Sequence, residues 1–463
     1  MFETAICGGT AVTASSTMDV DIGIRDGKIV ALEEPGSIDE AQKVIDADGR
    51  YVFPGFIDAH VHVNTSLGEF ESRDGFSEVT GAAAHGGTTT IFDFAMPEPD
   101  ESVLEAHDRK LDSAQGDAHV NYGFHGCITD VTEQNLSEIP DVIEAGASTI
   151  KMFMTYEGRL RLTHGEIRDV MKIISEQTDG LALIHAEDQE MISREVETHL
   201  ASGKGGYQYH PDTHPNVSET AAMWVITNLV EEQGCPAYFV HVSTAKARAV
   251  MEYAREQQLP IVSETCPHYL SLTSDVYSKE NGENWVCSPP IRDEASTEVL
   301  WQLIDEGLIQ TVNSDHCGYD TEQKRTFRDD ITKIPNGLPG VETRNTVLYS
   351  EGVPDDQLSV SDFVALTSTN VAKMFGLYPQ KGTIAVGTDA DLVVYDPDRR
   401  WTVSESELHM ETDYSPFDGF EIDGRPTDVL VDGELVIREQ ELIGDGTVGR
   451  FVPTSAGYES GTF

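Results

Sequence analysis

The feature that most constrains this chain is a series of short apolar runs recurring along its middle, each followed by a stretch with helical periodicity. Eight candidate strands end near Phe56–His62, Thr88–Phe94, Asn121–Ile128, Thr149–Met154, Leu181–His185, Ala237–Val242, Pro260–Thr265 and Ile309–Asp315. A strand buried on both faces reads as continuous apolar residues rather than as an alternation. The segments between them repeat at helical spacing, as in Glu166–Ile174, where Ile167, Val170, Met171 and Ile174 fall at i, i+3, i+4 and i+7. Strands alternating with helices at this interval mean a parallel sheet. Eight units favour closure over an open doubly wound sheet, and no dinucleotide-type glycine signature interrupts the stretch. The expected fold is therefore α/β, a TIM-like (β/α)8 barrel over residues 54–375.

Both ends have a different texture. Residues 1–53 hold the short strand candidates Ala5-Ile6, Val20–Ile24, Lys28–Leu32 and Tyr51–Phe53, with Asp26-Gly27 as a tight-turn signal. Similar β-rich sequence returns at Ala390–Tyr395 and Asp428–Ile437. One small β-sandwich domain built from both termini, residues 1–53 and 376–463, is the economical expectation. From about residue 400 an acidic extension would follow, ending in the loop-like Pro453–Gly457.

The catalytic face of such a barrel lies at the C-terminal ends of its strands, and five of the runs end there in a side chain that can bind metal. His60 and His62 alternate along one strand, so both rings project from one face. Lys151 lies between Ile150 and Met152-Phe153, His185 and His241 each close a strand, and Asp315 ends the eighth. Neutral imidazoles suit zinc and neighbouring metals. A lysine in apolar surroundings should lose its proton, and a neutral amine reacts with carbon dioxide to give a carbamate, an anionic oxygen ligand able to bridge two cations. Asp315 is placed to act as a proton shuttle. The set points to two-metal hydrolysis. His316 should face away from the site, and His85, His107 and His164, lacking such a setting, are read as surface residues.

Composition narrows the rest. The 81 acidic residues against 31 basic give a formal charge of −50, scattered along the whole chain, while 39% of residues are hydrophobic. A folded protein with an acidic shell fits better than disorder, and such a self-repelling shell suits a high-salt, halophilic cytoplasm. Nucleic acid is an unsuitable partner, since phosphate binding needs basic patches. The six cysteines are dispersed with no C-x-x-C pair, which argues against a disulfide framework or a zinc site built from four cysteines. With no leader sequence and no apolar stretch of spanning length, the expectation is a cytoplasmic protein with no membrane association.

These residues carry a resemblance to cyclic amidohydrolases of the dihydropyrimidinase/hydantoinase group, within the amidohydrolase superfamily. The similar stretches include Pro54–His62, Gly86–Thr90, Lys151–Tyr156, Ile184–Glu187, Glu264–Pro267, Ser288–Arg292, Ser314–Cys317, Thr332–Gly337, Lys381–Gly387 and Asp413–Phe417, nearly the whole chain. The lysine with a tyrosine five residues on and the K-I-P-N-G segment are the most specific. The resemblance implies two divalent metals, with zinc the default and manganese or cobalt compatible. His60, His62, Lys151 and Asp315 would hold one, and Lys151, His185 and His241 the other, bridged by carbamylated Lys151 and a hydroxide. It also implies Tyr156 as oxyanion donor, Ser288 and Asn336 as holders of the substrate's amide edge, and a homotetramer. The expected activity is ring opening of dihydropyrimidines or hydantoins to N-carbamoyl amino acids.

Three rival readings fit less well. Dihydroorotases usually carry an arginine two residues after the H-x-H, where this chain has Asn64. Allantoinase is the runner-up, favoured somewhat by Glu69–Thr80 and His268, with Tyr156 against it. A non-catalytic dihydropyrimidinase-like assembly protein is the remote alternative, since such relatives have lost metal ligands that are all present here.

Overall fold

A computed structural model describes residues 1–67, 69–443 and 447–455 of the chain. Its centre is a parallel eight-stranded sheet of Phe56–Val61, Thr88–Ala95, Asn121–Cys127, Thr149–Phe153, Leu181–His185, Ala237–Phe239, Ile261–Thr265 and Thr311–Val312. The strands neighbour one another in sequence order, and the curl closes where His316 bridges Val61 in parallel and its carbonyl accepts the His62 N–H at 2.7 Å. Each expected strand is present to within a few residues of its anticipated span. Their residues are buried almost throughout, as strands covered on both faces must be.

The helices follow from local signals. The helix His164–Gln177 starts at Thr163, whose hydroxyl accepts from the Glu166 N–H while the Glu166 carboxylate accepts from the Thr163 N–H. This reciprocal capping satisfies two backbone donors that the helix itself cannot. Its buried stripe is Ile167, Val170, Met171 and Ile174, the four residues singled out by spacing. At about 1.5–3 kcal/mol for each fully buried large aliphatic side chain, that stripe, not helix propensity, holds the segment to the barrel.

The two termini form one nine-stranded sheet. Tyr51–Pro54 joins its halves, pairing parallel with Phe2–Thr13 on one side and antiparallel with Leu392–Thr402 on the other. The first barrel strand begins at Phe56, so the seam also anchors the barrel. Two Asp-Gly turns meet at this sheet. Asp26-Gly27 (φ 52° and 71°) links Ser16–Arg25 to Lys28–Glu33, and Asp432-Gly433 (φ 47° and 80°) links Glu421–Val431 to Glu434–Arg438. A β-carbon on Gly27 would lie 2.9 Å from the Asp432 carbonyl oxygen, so glycine is required there by contact as well as by backbone angle.

Three sequence expectations need adjusting. The β-rich run Asp428–Ile437 spans two paired strands, and Ala41–Asp46 is an unanticipated strand alongside Phe2–Thr13. Residues 400–443 are largely strands and loops packed into the molecule rather than an appended extension: Trp285 Nε1 donates to the Pro416 carbonyl at 3.1 Å. His85 and His107 are buried, not surface residues. His85 stacks on His409 with ring centroids 3.4 Å apart, and His107 packs edge-on to Phe124 and Phe451. His164 is exposed, as anticipated. Part of the expected terminal loop, Ala456 and Gly457, lies outside the described residues.

Candidate active site

The ends of the barrel strands converge on a cavity at the C-terminal face. His60, His62, Lys151, His185, His241 and Asp315 line it, together with Tyr156, Ser288 and Asn336. All nine side chains singled out from the sequence therefore meet in one place. Three of them hold left-handed backbone angles rare for non-glycine residues, Tyr156 at φ 69°, His241 at 41° and Asp315 at 49°. Such conformations persist only where surrounding structure enforces them, and they cluster at functional sites.

The geometry around Asp315 is that of donors gathered for a cation. Its Oδ1 lies 3.0 Å from His60 Nε2 and 3.3 Å from His62 Nε2. His60 Nε2 is buried yet makes no hydrogen bond, and buried His241 Nδ1 makes none either. Ligand atoms of His60, His241 and Asp315 all fall within 4.8 Å of one another. Unsatisfied buried nitrogens are costly unless something else satisfies them, so this donor set fits divalent metal. The carboxyl of Asp315 is held well below the usual carboxylate range: burial opposes its charge, but the imidazoles, His60 foremost, outweigh it. Burial keeps His62, His185 and His241 low, as neutral ligands should be. His60 is the exception. Burial disfavours its charge too, but the Glu264 and Asp315 carboxylates raise it to about 9. The local field there favours positive charge.

Lys151 sits on the fourth strand, 1% exposed, with its Nζ 4.8 Å from the Phe94 ring centroid and 5.1 Å from that of Phe153. Among the described residues it makes no ion pair with a carboxylate. Burial pulls its ammonium down to about 8, against partial opposition from Asp315 and Glu264. The lysine neither snorkels to solvent nor pairs with an acid, the two ordinary fates of a buried lysine.

Two carboxylates that sequence reasoning did not assign orient these histidines. Glu264 is fully buried and contacts His60 Nδ1. It also accepts from the Tyr238 hydroxyl at 2.5 Å and from the His241 N–H at 3.0 Å. Glu187 lies 2.9 Å from His185 Nε2 and accepts from the Ser288 hydroxyl at 2.6 Å. Burial would raise Glu187, but its hydrogen bond to His185 and nearby positive groups bring it to about 2. Carboxylates behind ligand histidines fix ring orientation and tautomer. The available signal was their position, each close to the C-terminal end of a barrel strand. His316, expected to face away, is buried with Nε2 3.3 Å from Asp74, while Nδ1 accepts from the Gly340 N–H.

An eight-stranded barrel with histidine, lysine and aspartate donors at its strand ends defines the class of metal-dependent hydrolases. Residues 51–436 match the amidohydrolase family. A D-hydantoinase of Geobacillus stearothermophilus is 40% identical over 96% of this chain and 95% of that protein. One from Streptomyces coelicolor is 38% identical over 97% and 98%. The crystal structure of a dihydropyrimidinase from Brevibacillus agri superposes with a TM-score of 0.95 at 38% identity, covering 98% of this chain and 99% of that one. The chain belongs to the amidohydrolase family, within its hydantoinase/dihydropyrimidinase group.

Proposed function

We propose that this protein opens the cyclic amide bond of hydantoins or dihydropyrimidines, releasing N-carbamoyl amino acids. The observation that carries the proposal is the convergence of four strand-end histidines, Asp315 and the unpaired Lys151 on one cavity.

In this reading His60, His62, Lys151 and Asp315 would hold one divalent cation, and Lys151, His185 and His241 the other. Two cations, when bound, acidify and orient a water and neutralise charge on the carbonyl oxygen. Lys151 would reach its ligand form when its neutral Nζ attacks carbon dioxide: one C–N bond forms as one C–O π bond breaks onto oxygen, the Nζ proton passes to solvent water, and the carbamate carries the resulting carboxylate. Asp315, held in its ionised form, would accept a proton from the attacking water and return it to the ring nitrogen as the C–N bond breaks. Burial, with Glu187 adding to it, keeps the Tyr156 phenol protonated far above neutral pH, so its hydroxyl is a donor to the carbonyl oxygen throughout. Ser288 and Asn336 hold the amide edge, largely through their main chain, and Glu187 fixes the Ser288 hydroxyl.

The same proposal covers the setting. Zinc is the default metal. The large acidic excess supports a high-salt cytoplasm. No helix among the described residues is long and apolar enough to cross a membrane. A homotetramer follows the usual state of such relatives, and light scattering tests it. Divisions near residues 53/54 and 375/376 follow the change from the two-ended sheet to the barrel.

The test is hydrolysis of dihydrouracil, hydantoin and allantoin by zinc- or manganese-loaded protein with bicarbonate, in dilute buffer and in molar KCl. Ring opening of dihydrouracil or hydantoin, lost on chelation, is expected. Activity on allantoin alone would replace the substrate assignment, and a protein binding no metal would make it a scaffold. Best activity in dilute buffer would remove the high-salt reading.

A further inference from the structure

Another buried lysine lies outside the metal donors. Lys324, on the short helix Thr321–Thr326, is 0% exposed. Its Nζ donates to two main-chain carbonyls, Val286 at 2.6 Å and Gly337 at 2.7 Å. Among the described residues it has no ion pair with a carboxylate. The Tyr319 ring centroid lies 5.8 Å away, and the ionisable groups acting on it are the thiols Cys287 and Cys317. A buried cation so placed is costly to keep, and its two hydrogen bonds to main-chain carbonyls offset that cost.

What its two acceptors have in common is their neighbours. Val286 stands two residues before Ser288, and Gly337 directly follows Asn336. The two loops are already in contact, the Gly337 N–H donating to the same Val286 carbonyl at 3.1 Å. Gly337 is also pressed against the Cys317 carbonyl, 2.6 Å from where a β-carbon would sit, two residues past Asp315. One ammonium therefore ties together both loops that border the cavity opposite the strand ends. The short helix carrying it is fixed at its start by Asp320, which accepts from the Gln323 N–H while the Gln323 side-chain carbonyl accepts from the Asp320 N–H.

We infer that Lys324 is a positioning residue: by holding Val286 and Gly337 on one donor group, it sets the separation of the Ser288 and Asn336 main chains and so the width of the slot that receives the planar amide edge of the substrate. This rests on the reading of Ser288 and Asn336 as substrate holders. Lys324 touches neither substrate nor metal ligand. Its loss should weaken binding of the ring while the metal donors stay in place.

The experiment compares Lys324→Met, which keeps the length and removes the donors, with Lys324→Gln, which keeps two N–H donors without the charge. Both are measured as metal-loaded full-length protein on the cyclic amide the wild type hydrolyses best. The expected result for Lys324→Met is a KM raised about tenfold or more, with kcat within about threefold of wild type and two metals per chain retained. Lys324→Gln should recover most of the KM, and it carries the test if the methionine variant does not fold. An unchanged KM in Lys324→Met, a fall in kcat at constant KM, loss of metal, or a glutamine variant no better than methionine overturns the inference. A crystal structure of the metal-loaded wild type with a bound cyclic amide is determined alongside. If the amide edge does not meet the Ser288 and Asn336 main chains, the slot assignment itself fails; if it does and Lys324→Met leaves KM unchanged, only the role of Lys324 fails.

Discussion

Lys151 and Lys381 are both buried and both feel nearby carboxylates, yet their pKa values are pushed in opposite directions. Lys381 Nζ contacts Asp391, lies 3.2 Å from Asp389 and 3.8 Å from Asp432, and these carboxylates overcome burial to raise its pKa. Lys151 has no such contact and is pulled down to about 8. The three aspartates around Lys381 stand close enough together to suit a metal ion, but the chain's own ammonium already fills that place. Around Asp315 the neighbours are imidazoles instead. Burial is common to both lysines. Direct acid partners make one a fastener within the C-terminal part of the terminal sheet, and their absence leaves the other available for chemistry.

The sharpest way to break this comparison is Asp315→Asn, which removes the proposed ligand and the proposed proton carrier together. Turnover should fall by roughly 10⁴-fold, the upper range for a positioned acid–base group, while circular dichroism stays native; substantial residual kcat would remove Asp315 from the proton pathway. Lys151→Met should lower kcat by about 10³-fold, in line with several kcal/mol from metal electrostatics. Metal content should fall below two per chain, and full content by mass spectrometry would contradict a ligand role. Glu264→Gln leaves every direct ligand in place but weakens the support of His60. A drop in metal affinity of about 10–100-fold is expected from titration against a competing chelator.

Lys381→Met closes the series from the other region, with no expected change in kcat. Removing the cation from among buried acids should cost about 3 kcal/mol or more of stability, read by denaturant unfolding. If Lys381→Met instead lowered kcat with unaltered stability, or Lys151→Met chiefly unfolded the protein, the division between fastener and chemistry would be wrong.

How much of this is legible in the sequence follows the same physics. The barrel strands are readable because burial on both faces leaves an uninterrupted apolar run, and the ligands because polar side chains close those runs. Ala41–Asp46 is not, since Ala-Gln-Lys-Val-Ile-Asp is largely exposed and shows no apolar stripe. Asp432-Gly433 is a visible turn signal lost inside a longer β-rich stretch. His85 and His107 mislead because a lone histidine on a helix carries no periodicity, and their burial depends on His409 and Phe451, far away in sequence. Glu187 and Glu264 are carboxylates in apolar context whose partners exist only after folding. Lys324 is silent for the same reason, because both of its acceptors are main-chain carbonyls that any residue could offer.

The bridge between Val61 and His316 has a consequence for how the protein is made. His60 and His62 are synthesised early, Asp315 long afterwards, and the seam at Tyr51–Pro54 waits later still for Leu392–Thr402. A nascent chain emerging from the ribosome therefore carries two imidazoles that lack Asp315 until the final strand docks. Contacts so distant along the chain form slowly, because a long loop must close before any is gained. Capture of metal by the complete set of donors would mark the end of assembly rather than its start.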